Sequence, residues 1–222
     1  MLKVKNRENF GGDLLDNLAN CKDIEHWQNY KKKVYYKFNS KGFRDNEWPD
    51  NLSDVIWCIG DSYTVGIGQP FKETWPQLLE KKIGKKCLNI SHEGCSNNTI
   101  ALRCKEIYKL YNPKLIIVMW SYLHRRKINN NDVHYNYEDR SDFGMKADIK
   151  NFKKNYHMVN SLNTKIINLM IPRASIDDKL QNLLKHMKNL IIIEQLDYAR
   201  DGCHFDIKTT KSCVDIILKI SL

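Results

Sequence analysis

No apolar run in this chain approaches the roughly 18 residues that a membrane-spanning helix needs. The first nine residues, Met1 to Asn9, are charged and lack the apolar stretch of a secretory leader. The sequence thus predicts neither an anchor nor export. Proline and glycine are scarce, 5 and 10 among 222 residues, which excludes collagen-like and linker-like architectures. No C-x-x-C pair exists among the seven cysteines, Cys21, Cys58, Cys87, Cys95, Cys104, Cys203 and Cys213. None clusters with histidine at the short spacing of a zinc site. An odd number of unclustered thiols reads as free cysteine in a reducing compartment, hence a cytoplasmic protein.

Acidic residues are outnumbered. The chain has 36 Lys plus Arg against 26 Asp plus Glu, a net charge of +10. The positive residues are scattered: Lys31 to Lys33, Lys81 and Lys82, Lys85 and Lys86, Arg125 to Lys127, Lys153 and Lys154. Scattered charge reads as solvated surface. A nucleic-acid module would concentrate it in a stripe with interleaved aromatics, so nucleic acid is not the expected partner. Attraction to other polyanions is what the charge alone leaves open. With 42% hydrophobic residues the chain can bury a core.

Residues 1–50 are polar and irregular and read as an N-terminal extension packed on a main domain, 51–222. The extension is expected to hold a helix over 13–30, an edge strand at Val34 to Phe38 and a turn at Asn39 to Gly42. From Asp54 short apolar runs alternate with helical patterns. Strands are expected at Val55 to Ile59, Lys86 to Ile90, Leu115 to Trp120, Lys165 to Met170 and Leu190 to Ile193. Helices are expected at Thr74 to Ile83, Asn98 to Tyr111, Ala147 to Leu162, Ile176 to Met187 and Ile207 to Ile220. Residues 121–145 read as a long polar loop. Five buried strands separated by helices predict a five-stranded parallel sheet in a three-layer α/β/α sandwich. Ligands of such sheets bind beyond the carboxyl ends of the strands.

Three segments fall there. Ser62, in Gly60-Asp-Ser-Tyr-Thr-Val-Gly66, directly follows the first strand, where a sharp turn aims its hydroxyl and its N–H into one pocket. A helix-capping serine is the simpler alternative. Asp201 and His204 lie three apart across Gly202, after the last strand. That spacing lets the carboxylate orient one imidazole nitrogen while the other faces a nucleophile. The alternative is a surface histidine beside a capping Asp206. Gly94, in Glu93-Gly-Cys-Ser-Asn-Asn98, follows the second strand and can offer an unobstructed N–H. Ser96, Asn97 or Asn98 can cap the next helix. His92 and Glu93 read as solvent-facing, with lining the pocket as the alternative, and His157 and His186 read as surface residues. Trp57 and Trp120 read as core.

Together GDSYTVGIG, EGCSNNTI and DGCH resemble the blocks of the SGNH, or GDSL-type, serine hydrolase family, in the family's order, from about Asn39 to Phe205. The stretch Asn39-Ser-Lys-Gly-Phe-Arg44 is similar to one found ahead of the first block in a branch of that family. The resemblance implies a flavodoxin-like fold and hydrolysis of small acyl esters, acetyl groups on sugars among them, without cofactor. It implies Ser62 as nucleophile, His204 as base and Asp201 as the acid that orients it. The oxyanion would be held by the N–H groups of Ser62 and Gly94. The family's G-x-N-D block is missing: the third strand runs into Trp120-Ser-Tyr-Leu-His-Arg125. Ser121 is then a weaker oxyanion donor, or Arg125 reaches in, and Asn97 and Arg125 are the expected substrate contacts. The implied partner is a small-molecule or glycan ester. An acyltransferase with the same triad, or an SGNH-fold binding protein weakened in catalysis, would fit the same residues. Activity is expected to fall below about pH 6 as His204 protonates.

Overall fold

The computed structural model describes residues 24–129, 131–134, 142–172, 174 and 178–221. In chain order its elements are α1 (Ile24–Asn29), β1 (Ile56–Ile59), α2 (Ser62–Val65), α3 (Trp75–Ile83), β2 (Cys87–Asn89), α4 (Asn97–Tyr111), β3 (Leu115–Trp120), β4 (Arg125–Ile128), β5 (Asn131–His134), α5 (Asp142–Asn160), β6 (Lys165–Met170), α6 (Asp178–Lys185), β7 (Leu190–Ile192) and α7 (Ile207–Ser221). Five strands form one sheet in the order β2-β1-β3-β6-β7, all parallel. Helices α3 and α7 pack together, as do α4 and α5. This is the three-layer α/β/α sandwich expected, with flavodoxin-like strand order.

Burial explains the strands. All four residues of β1 and five of the six in β3 are buried, so these runs are apolar throughout rather than alternating. Trp57 and Trp120 are fully enclosed. Trp120 Nε1 donates to Asn168 Oδ1 across to β6 at 3.0 Å, which pairs a polar atom the core would otherwise strand. From β1 the chain steps outward to β2, then crosses back to β3 on the other side. The C-terminal ends of β1 and β3 therefore flank the point where winding reverses, the place where open α/β sheets leave a crevice.

Local differences from the sequence reading have physical causes. Of the helix expected over 13–30, residues 13–23 lie outside the described residues, and α1 is the remainder. Val34 to Phe38 is not a strand: only Tyr36 makes a bridge, and Val34 and Tyr36 instead pack on Val65 and Ile67. The turn at Asn39 is present, with Gly42 N–H donating to Asn39 O at 2.9 Å. The segment 121–145 is not simply a loop. It holds the β4–β5 hairpin, pairing Arg125 with His134 and Ile128 with Asn131, with Asn129 at φ 48° in the turn, and α5 begins already at Asp142. The expected helix at Ile176 to Met187 is observed as Asp178–Lys185, Ile176 lying outside the described residues. The described cysteines, Cys58, Cys87, Cys95, Cys104, Cys203 and Cys213, are free thiols. Among the described residues no helix is long and apolar enough to cross a membrane.

Candidate active site

Gly60 opens the site. A Cβ there would sit 2.2 Å from Thr64 Oγ1 and 3.0 Å from the Met119 carbonyl, so only glycine lets the chain fold back over β3. The next residue, Asp61, caps the one-turn helix α2 by accepting the Tyr63 N–H at 3.0 Å. Ser62 is the first residue of that helix and is 3% exposed. Its own N–H belongs to the set that a helix N-terminus leaves without an intrahelical partner.

The far end of α2 is tied down by Arg44, buried to 1% exposure. Its guanidinium donates to the carbonyls of Val65, Gly66, Gln69 (2.7 Å) and Tyr35 (2.9 Å), and lies 4.3 Å from the Tyr36 ring centre. Cationic donors at carbonyls that end a helix are favourable, because those carbonyls carry partial negative charge. Asn89, at the end of β2, adds a bond from Nδ2 to Thr64 O at 2.8 Å. Sequence reasoning missed both residues, since a buried polar residue and a solvated one look alike in a sequence.

The loop between β7 and α7 docks onto this turn. Gly68, at φ 74°, accepts the Arg200 N–H at 3.1 Å, and a Cβ on Gly68 would lie 2.8 Å from Ala199 Cβ. His26 Nε2 is 2.8 Å from Ala199 O. Tyr30 donates to Asp206 Oδ2 at 3.0 Å and Lys32 reaches the same oxygen at 3.0 Å. Asp206 therefore faces the N-terminal segment. The N–H groups at the start of α7 are taken by Asp197, from Lys208 at 2.6 Å and Thr209 at 3.0 Å, so the capping role expected of Asp206 falls to Asp197. Burial raises the Asp197 pKa, yet these bonds leave it below the ordinary carboxylate value.

Docked this way, His204 Nε2 lies 2.8 Å from Ser62 Oγ, and His204 Nδ1 lies 2.5 Å from Asp201 Oδ2. Asp201 is fully buried and its Oδ1 accepts the N–H groups of Cys203 (3.1 Å) and His204 (3.0 Å). Burial works against charge on both partners. For Asp201 the imidazole and the N–H donors more than offset it and hold the carboxyl below its usual range. For His204 the charge and hydrogen bond of Asp201, helped by Asp61, raise the pKa above 6.5, with Arg125 opposing.

The other sequence-derived candidates divide. Gly94, at φ 72°, sits in the turn after β2. Ser121, expected to offer its hydroxyl to an oxyanion, instead donates it to Asp61 Oδ2 at 2.5 Å. A hydroxyl has one proton, and this one is committed to a carboxylate. Asn97, expected to touch substrate, is fully buried. Its Oδ1 accepts the Ser121 N–H at 2.8 Å, and its Nδ2 donates to the carbonyls of Ser121 and Tyr122, both at 3.1 Å. Asn97 shapes the loop after β3, and Ser96 is the residue that caps α4. Arg125 Nη1 pairs with Asp61 Oδ2 at 2.9 Å and donates to Ser121 Oγ at 3.0 Å. His92 is not solvent-facing. It is half-buried edge-on to Phe43 at 4.9 Å, and burial lowers its pKa to about 4. Among the described residues no group of three or more His, Cys, Asp or Glu could hold a metal ion.

Aromatic rings complete the surroundings. Tyr63, 4% exposed, packs 4.5 Å from the His204 ring. Its hydroxyl meets that of Tyr122 at 3.1 Å, and His124 lies against Tyr122 at 5.3 Å.

No protein-family model and no curated protein matches this sequence. Solved structures do. A carbohydrate esterase, whose active site displays divergent catalytic and non-catalytic binding functions, superposes with a TM-score of 0.51 at 15% identity, over 76% of this chain and 68% of its own. A member of the lipolytic protein G-D-S-L family from Veillonella parvula DSM 2008 gives a TM-score of 0.49 at 14% identity, over 74% of this chain and 96% of its own. The lipase/acylhydrolase from Enterococcus faecalis gives 0.49 at 14% identity, over 74% and 94%. What the first likeness shows is the fold alone, a three-layer α/β/α sandwich shared with a carbohydrate esterase.

Proposed function

We propose that this protein is an SGNH-type serine esterase that removes small acyl groups, acetyl foremost, from carbohydrate. The observation that carries the reading is the unbroken file Ser62 Oγ, His204 Nε2, His204 Nδ1, Asp201 Oδ2, with spacings of 2.8 and 2.5 Å. In the working tautomer Nδ1–H donates to Asp201 and the Nε2 lone pair faces the Ser62 hydroxyl. Ser62 Oγ attacks the ester carbonyl carbon while His204 takes the proton. The N–H groups of Ser62 and Gly94 receive the carbonyl oxygen as it becomes negative. The tetrahedral species collapses, and His204 returns the proton to the departing alcohol. Water, deprotonated by His204, then attacks the acyl-enzyme; the Ser62 Oγ–acyl bond breaks as His204 returns the proton to Ser62, and the carboxylic acid leaves. Asp201 holds the tautomer and favours the transient imidazolium.

Two features support the substrate class. Ser62 is 3% exposed and the His204 side chain 12%, so the opening suits a short acyl chain. The partly exposed Tyr122 and His124 rings lie against each other, joined to the histidine through the buried Tyr63, and flat aromatic faces suit the apolar faces of sugar rings. One solved structure that shares the fold is of a carbohydrate esterase.

The test is acetate release from acetylated xylo-oligosaccharide and from p-nitrophenyl acetate, by wild type and by Ser62→Ala. Release by the wild type, abolished in a variant with unchanged melting, supports the proposal. A folded wild type that cleaves neither ester, or a Ser62→Ala variant with full turnover, overturns it.

A further inference from the structure

The guanidinium of Arg125 is held at two points and unused at others. Nη1 is bound to Asp61 Oδ2 at 2.9 Å and to Ser121 Oγ at 3.0 Å. Nε is buried and makes no hydrogen bond among the described residues. The side chain is 12% exposed, and its ring-stacking partner Tyr122 lies 4.8 Å from the guanidinium carbon. An arginine carries five N–H donors, so most of this one's capacity remains open in a largely dry place. Leaving a buried donor unpaired typically costs about 1–3 kcal/mol. An ion pair buried this deeply is also seldom more stable than apolar packing of the same volume. Stability alone therefore does not account for it.

Its position suggests what does. Contacts run in a closed ring: Ser62 to His204, His204 to Tyr63, Tyr63 to Tyr122, Tyr122 to Arg125, Arg125 to Asp61, and Asp61 by peptide bond back to Ser62. Arg125 also follows β3, the strand beside β1, whereas Gly94 follows β2 on the other flank. The Ser62 N–H, at the start of α2, lies between them in strand order. Ser121 cannot supply a proton there, because its hydroxyl serves Asp61.

Resting on the esterase reading above, we propose that Arg125 is a catalytic residue, presenting the N–H donors of Nη2, which make no hydrogen bond among the described residues, to the acyl oxygen as negative charge develops on it. Asp61 and Ser121 fix the fork beforehand, so nothing need reorganise during the reaction. No proton is transferred. The guanidinium stays charged throughout and stabilises the tetrahedral oxyanion more than the neutral carbonyl, which lowers the barrier without tightening ground-state binding.

The experiment measures p-nitrophenyl acetate hydrolysis by the full chain as wild type, Arg125→Lys, Arg125→Gln and the double variant Asp61→Asn/Arg125→Gln, with a thermal melt of each. The double variant leaves no unpaired buried charge, so it decides the matter if Arg125→Gln alone unfolds. The expected result is a loss of about 10²–10³ in kcat with KM unchanged in both glutamine variants, and an intermediate loss for lysine, which keeps the charge and surrenders the fork. In Arg125→Gln the acid limb should also move to higher pH, because a cation opposing His204 protonation is gone. A folded double variant with wild-type kcat shows that Arg125 serves only to neutralise Asp61 and overturns the inference. A wild type with neither turnover nor fluorophosphonate labelling of Ser62 sinks the esterase reading, and this inference with it.

Discussion

Asn97 and Ser121 grip each other from both sides: Asn97 Oδ1 accepts the Ser121 N–H at 2.8 Å, and Asn97 Nδ2 donates to the Ser121 carbonyl at 3.1 Å. The side chain is fully buried. Asn97→Ala would leave an N–H and carbonyls of the loop after β3 unpartnered. At about 1–3 kcal/mol per stranded group, a loss of roughly 2 kcal/mol or more in unfolding free energy is expected. Denaturant titration measures it. A substrate-binding role would instead raise KM at constant stability.

The pH dependence follows from His204. Its pKa in the folded protein lies above the ordinary 6.5, because the neighbouring carboxylates outweigh burial. Catalysis needs the neutral imidazole, so activity falls as pH drops through this raised value. The acid limb is therefore centred above pH 6.5, higher than the pH of about 6 expected from the sequence. Asp201→Asn removes the main cause and should move that limb downward, while cutting kcat by several orders of magnitude through the wrong tautomer. A kcat/KM profile flat from pH 5 to 8 contradicts the assignment. Stability runs the opposite way: the raised His204 pKa adds stability below pH 6.5 that disappears as pH rises through the folded value.

Asp45 offers an independent check. Buried to 2% exposure, it accepts the N–H groups of Asn89 at 2.9 Å and Asn46 at 2.8 Å. Burial nonetheless raises its pKa from 3.8 to about 6. The folded state thus holds this proton more tightly than the unfolded chain. Its contribution is present below pH 3.8 and is lost as pH rises through about 6. The difference between 3.8 and about 6 corresponds to about 3 kcal/mol. Asp45→Asn should remove that much of the fall in stability between pH 4 and 7, measured by denaturant titration across pH. An unchanged pH slope would refute it.

The strands were legible where burial is complete. Leu115–Trp120 and Lys165–Met170 have the bounds their apolar runs suggest: five of the six residues of the first and the last four of the second are buried, and the polar one among them, Asn168, is paired with Trp120 Nε1. The β4–β5 hairpin was not legible. Arg125–Ile128 is only partly covered and carries three cations, so no hydrophobic period announces it. It is tied down by polar side chains instead: Asn98 to the Lys127 N–H at 3.2 Å, and Arg126 to Asp148 and to Gly144 O. The file of Ser62, His204 and Asp201 was expected from the GDSYTVGIG and DGCH blocks taken together after their strands, each block alone reading as a cap or a surface residue. Asp61, Arg44 and Asn89 were not, though Asp61 carried a signal. A carboxylate immediately after a fully buried strand needs a cation or several donors, and here Arg125, Ser121 and the Tyr63 N–H provide them.

Reaction with a fluorophosphonate, followed by mass-spectrometric mapping of the adduct, tests the central claim most directly. It asks whether Ser62 is an activated nucleophile, whatever the natural ester. The account predicts a single adduct on Ser62, formed by the wild type and lost in His204→Ala. A folded wild type that forms no adduct, or an adduct on Ser62 that persists at full rate without His204, would contradict it.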